Sequence, residues 1–112
     1  EALWTRFLPS MKRVIDIVKK EEIGHVVSIQ ADFGFKAPYD PGARLFNKEL
    51  GGGALLDVGI YPVFLTTALL GEPAKIQASG VIGPTGVDEQ LWRQPPCIKD
   101  PRQNQGKNWV EV

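Results

Sequence analysis

The stretch Glu49-Leu50-Gly51-Gly52-Gly53-Ala54-Leu55-Leu56-Asp57-Val58-Gly59-Ile60-Tyr61-Pro62 decides how the rest of the chain is read. Its glycine run closes one element. The largely apolar segment Ala54 to Leu70 then predicts a helix, and Gly71-Glu72-Pro73 stops it. Pro62 removes one backbone donor, which predicts a bend. Asp57 and Tyr61 are four apart, so a regular helix would put them on one face.

Upstream, Met11, Val14, Ile15 and Val18 repeat at helical spacing and predict a helix over 8–22. Pro9 suits its first turn, Lys19 and Lys20 its last, and Gly24 its stop. Residues 26–35 alternate. Val27, Ile29, Ala31, Phe33 and Phe35 share one side, and Ser28, Gln30, Asp32 and Gly34 the other. This period of two predicts a strand with one wet face. Pro38, Pro41 and Gly42 mark a loop over 36–50, with a short helical turn around Leu45–Phe46. Downstream, residues 74–82 predict a second strand and Gly83-Pro84-Thr85-Gly86 a turn. From residue 91 onward, prolines and amides replace any periodicity, so an irregular tail is expected over 91–112. Helices covering one face of a sheet make the expected class α+β. Two strands do not sustain a sheet alone, so the expectation is part of a domain.

The composition narrows the function. The chain has 112 residues, 43% apolar and 23% charged, with 13 Lys+Arg against 13 Asp+Glu. That balance gives no basic footprint, and no nucleic-acid partner is expected. One cysteine, Cys97, excludes an internal disulfide framework and a cysteine-cluster metal site, and no metal is expected. No apolar run reaches the length of a membrane span, so no membrane partner is expected. With no secretory leader visible, the expected setting is cytoplasmic. The opening run Ala2-Leu3-Trp4-Thr5-Arg6-Phe7 carries two large aromatics that need neighbours, which predicts an internal cut in a longer parent.

Four segments together resemble one family. They are Glu1-Ala2-Leu3-Trp4-Thr5-Arg6-Phe7-Leu8-Pro9, Ile29-Gln30-Ala31-Asp32-Phe33-Gly34-Phe35, Arg44-Leu45-Phe46, and the glycine-to-Pro62 stretch quoted first. They are similar to the Gfo/Idh/MocA oxidoreductases, and within them to the dihydrodiol and D-xylose dehydrogenase branch. The resemblance covers roughly residues 1–90. It implies an N-terminal Rossmann domain that binds NADP or NAD and a C-terminal α+β domain, helices packed on one face of an open mixed or antiparallel sheet, incomplete in this chain, that often joins subunits. The implied reaction moves hydride between nicotinamide and a sugar or trans-dihydrodiol hydroxyl. Residues 1–90 would be a truncated substrate-binding domain, able to form a homodimer through its sheet. The Rossmann fingerprint is not in this sequence, and the family's Glu-Lys-Pro segment would precede Glu1. The 112 residues alone would then neither hold the cofactor tightly nor turn over. The loss of similarity after Gln90 suggests a changed reading frame, an altered splice or a chimeric gene. The other class of reading is a non-catalytic oligomerisation or interaction module made from the same domain.

The resemblance also implies roles. Tyr61 takes the position, often histidine, that handles the substrate hydroxyl proton, and Asp57 orients it or touches substrate. Oxidising an alcohol needs that proton removed as hydride leaves carbon, which gives the pair a chemical reason. The plain alternative is a half-buried aromatic beside a local helix-start acceptor. Trp4 and Arg6 match a segment that passes the nicotinamide, and are the cofactor-binding candidates. Their alternative is an aromatic packed on the next helix and an arginine in water. Phe33, Phe35 and Arg44 are substrate-binding candidates, with core packing the default for the two rings. Gly51–Gly53 either let a ligand approach free helix-start N–H groups or form a turn with positive φ. His25 reads as a surface turn residue.

Overall fold

A computed structural model describes residues 3–94. Cys97 and the rest of the expected tail, 95–112, lie outside the described residues. A 3-10 turn, Trp4–Phe7, leads into helix α1, Pro9–Lys19, with Pro9 in its first turn. Met11, Ile15 and Val18 are half-buried and Val14 is exposed. The helix ends earlier than the spacing implied. Glu21 (φ 54°) and Gly24 (φ 80°) enter the left-handed region, and Gly24 N–H donates to Glu21 C=O at 2.9 Å. The Arg13 guanidinium folds back onto both Glu22 carboxylate oxygens at 3.0 and 3.3 Å.

Residues 26–35 form no strand. A single bridge at Gln30 is the one ladder contact there, and Val27, Phe33 and Phe35 on the expected buried side are exposed. The alternation is real, but a strand exists only where a neighbour accepts its backbone bonds. Core packing of Phe33 and Phe35 is corrected with it. Two short 3-10 turns follow, Arg44–Phe46 and Lys48–Leu50, the first at the site of the expected helical turn.

The main helix is not uniform. Leu55–Gly59 form a π-turn and only then does α2 run, Ile60–Leu70. Pro62 offers no N–H to the carbonyl four residues back and crowds it, so the coil ahead of it widens instead of kinking. Thr66 Oγ1 donates to Pro62 C=O and Val63 C=O, both at 3.0 Å, which satisfies a buried hydroxyl.

By length and composition alone, Lys48–Leu70 is apolar enough to cross a membrane, with mean hydropathy 1.6, which corrects the expectation that no stretch qualifies. Its backbone is interrupted, however. Gly51 (φ 69°) and Gly53 (φ 118°) break the coil, leaving a helical run from Ala54 that carries Asp57 and Pro62.

The sheet is an antiparallel hairpin, β1 (Gln77–Ile82) with β2 (Asp88–Gln94), joined by the turn read at 83–86. The irregular texture expected from residue 91 is corrected over 91–94, where β2 continues through Gln94. Cross-strand backbone pairing with β1 supplies the order that residues 91–94 lack in their own pattern. A bulge falls where Val81 pairs with Gln90 and Ile82 with Asp88. α1 packs on α2, and the π-turn packs on β2. The architecture is thus α+β, two helices with an open two-stranded sheet, as in part of a Gfo/Idh/MocA C-terminal domain. Among the described residues, the buried positions are Gly53, Pro62, Thr66 and Val87.

Candidate functional site

The glycine run is held from both sides. Gly51, Gly52 and Gly53 N–H donate to Lys48, Asn47 and Leu45 C=O at 3.1, 2.9 and 3.0 Å. A Cβ on Gly52 would stand 2.6, 2.7 and 2.8 Å from three backbone carbonyl oxygens, those of Arg44, Leu45 and Asn47. A Cβ on Gly53 would strike the Asp88 carboxylate. That carboxylate, set at the bulge in β2, accepts from Leu55 N–H at 2.6 Å. The expectation that the glycine run offers free N–H groups to a ligand is corrected: loop carbonyls take all three glycine N–H groups, and Asp88 takes that of Leu55.

Beside this junction opens a cleft of about 580 Å³. Phe33, Phe35 and Asp57 line it, as do Asp88 and Trp92 from β2. Arg44 reaches Asp57 with an ion pair from its guanidinium Nη2 to Oδ1, the arginine 56% and the aspartate 21% exposed. Arg44 thus lies against Asp57, while Tyr61, Trp4, Arg6 and Arg44 are not among the lining residues. The shared face expected for Asp57 and Tyr61 presumed a regular helix. The π-turn that contains Asp57 changes the angular step ahead of Tyr61.

Tyr61 is half-buried and held by two aromatics. Trp4 Nε1–H donates to its phenol oxygen at 3.1 Å, with the rings edge-on at 6.2 Å. Phe33 meets it edge-on at 5.3 Å. Phe33 therefore both lines the cleft and touches Tyr61. Arg6, on the same 3-10 turn as Trp4, is exposed.

Residues 11–92 match the family model described as the GFO/IDH/MocA C-terminal domain. The chain belongs to the Gfo/Idh/MocA family. Over 93 residues it is 45% identical to a trans-1,2-dihydrobenzene-1,2-diol dehydrogenase from Danio rerio. It is 43% identical to the protein of that name from Xenopus tropicalis and 36% to the one from Homo sapiens. Each alignment covers 81% of this chain and 27%, 28% and 27% of the respective relative. The chain therefore spans little more than a quarter of the length of these curated relatives. Within this Gfo/Idh/MocA domain, Asp88 and Trp92 are cleft residues that sequence reasoning missed. A lone carboxylate far along the chain from the helix it caps leaves no local signal.

Dinucleotide cofactors are typical of the family, and their phosphates need cationic side chains or free N–H groups. The cleft wall carries Asp32, Asp57, Asp88 and Glu89 against Lys36. The glycine N–H groups that would hold a phosphate are already bonded. The described residues do not fit a diphosphate. Aromatic rings beside carboxylates instead suit a small, neutral, hydroxyl-rich ligand. Among the described residues, no group of three or more His, Cys, Asp or Glu is placed to hold a metal ion.

Proposed function

We propose that this domain is the substrate side of an NADP- or NAD-dependent oxidoreductase acting on a hydroxyl of a sugar or trans-dihydrodiol, in a cytoplasmic setting. The observation that carries the reading is Tyr61. Its phenol is half-buried, fixed by Trp4 and Phe33, and joined through Phe33 to an acidic, aromatic-walled cleft. Family membership and the names of the relatives support the reaction class. D-xylose is the sugar the reading favours, and trans-1,2-dihydrobenzene-1,2-diol the diol.

In the carbonyl-forming direction the Tyr61 phenolate oxygen takes the hydroxyl proton, and in the reverse direction the neutral phenol returns it. Because tryptophan only donates, the phenol oxygen is the acceptor in the Trp4 contact, and its own proton is left for substrate. Asp57, steadied by Arg44, accepts from a second hydroxyl. The dinucleotide would be held by residues away from the acidic cleft, so these 112 residues by themselves bind NADP(H) weakly. Pairing of two copies through the open hairpin edge belongs to the same reading.

The test is a titration of the chain followed by NMR and fluorescence. D-xylose or the diol at millimolar concentration should move the Phe33 and Tyr61 ring signals, while micromolar NADPH leaves tryptophan emission unquenched. Ring signals indifferent to both ligands would overturn the substrate reading. Micromolar quenching would overturn the statement about the cofactor.

A further inference from the structure

The Trp4–Tyr61 contact joins residues far apart in sequence, and it is made by the one polar atom each ring possesses. Edge-on packing alone, at 6.2 Å between ring centres, does not require the indole nitrogen to face the phenol oxygen. The nitrogen nevertheless faces it at hydrogen-bond distance, 3.1 Å. A donor aimed at an oxygen that gains negative charge is worth more to the charged form than to the neutral one. From this geometry we infer that Trp4 is a positioning residue for Tyr61, its indole N–H bond strengthening as negative charge develops on the phenol oxygen.

This rests on the reading of Tyr61 as the proton-handling group. When Tyr61 gives its O–H proton to the substrate oxygen, the electron pair of that bond stays on the phenolate, which Trp4 then stabilises. When Tyr61 takes the proton back, the indole bond weakens to that of a neutral phenol. On this inference Trp4 acts on the acid–base group, a role beside the nicotinamide-side one that the family resemblance implies. Among the described residues, the charged groups nearest in the chain are Arg6, on the turn that bears Trp4, and Asp57, four residues before Tyr61 and paired with Arg44. Phe33, on the other flank, brings no charge.

The experiment is proton–nitrogen correlation NMR on the full chain, reading the indole N–H signals of its three tryptophans. Trp4→Phe keeps a ring and removes the donor, which assigns the Trp4 signal. At pH 7 the Trp4 indole proton should lie downfield of its position in Tyr61→Phe. In base strong enough to remove the Tyr61 hydroxyl proton it should move further downfield in the unsubstituted chain and stay in place in Tyr61→Phe. A merely structural ring contact would produce no such response. An indole proton at the same position with and without the Tyr61 hydroxyl at pH 7 overturns the inference, whatever happens at high pH. Loss of the sugar and diol response with the indole response intact overturns the substrate reading instead, so the two failures are distinct.

Discussion

Two stretches border the same cleft and are held in opposite ways. Around Gly51–Gly53 the backbone donors are bonded, three carbonyl oxygens crowd Gly52, and Asp88 arrives from β2 to cap Leu55. Around residues 26–35 there is one bridge, and Phe33 and Phe35 are 50% and 60% exposed. Both stretches have plain sequence patterns. The glycine run is satisfied by neighbours close to it in the chain, except for Asp88. The alternating segment asks for a ladder partner, and among the described residues it has the Gln30 bridge. Local chemistry fixes the first, and the second depends on what lies beside it.

The sharpest way to break the locked side is Gly52→Ala. The added methyl meets backbone oxygens that have no side-chain freedom to yield, so stability should fall by roughly 3 kcal/mol, measured by urea denaturation. A loss below a third of that would mean the 3-10 turns move easily. Asp88→Ala comes next. It leaves Leu55 N–H without its acceptor and should cost about 1–2 kcal/mol. Amide exchange at Leu55 should quicken while the far end of α2 is unaffected. Arg44→Ala removes an ion pair whose arginine is more than half exposed, so its effect on stability should stay below about 1 kcal/mol. Any larger effect should appear in sugar or diol affinity, through a freed Asp57. On the open side, Phe35→Ser should change stability by less than about 0.5 kcal/mol in the same denaturation experiment. A large loss there would show that the segment is buried after all.

Much of the fold was legible where periodicity and backbone chemistry act locally. Pro9, the turn at 83–86 and the break at Gly71 read directly, and so did the first helix, although Val14 of its stripe is exposed and it stops at Lys19, ahead of Gly24. Pro62 announced an irregularity, but not that it would appear as a widened coil over Leu55–Gly59. β2 was missed entirely: no strand was expected beyond residue 82, Leu91-Trp92-Arg93-Gln94 has no alternation, and its order comes from pairing with β1. At the site, Asp57, Tyr61, Phe33 and Phe35 stood out through the family resemblance; spacing alone put the two phenylalanines in the core. Asp88, Trp92 and the Trp4–Tyr61 bond did not, because each joins residues whose proximity is a product of the fold.

The central claim is that Tyr61 moves a substrate hydroxyl proton. Its most direct test is a chimera in which the matched 93 residues of the Danio rerio relative are exchanged for those of this chain, assayed for NADP-dependent oxidation of D-xylose and of trans-1,2-dihydrobenzene-1,2-diol. The account predicts turnover with Tyr61 and a fall of at least about a hundredfold in kcat with Tyr61→Phe. Equal turnover by the two chimeras, or none in the one that keeps Tyr61, would contradict it.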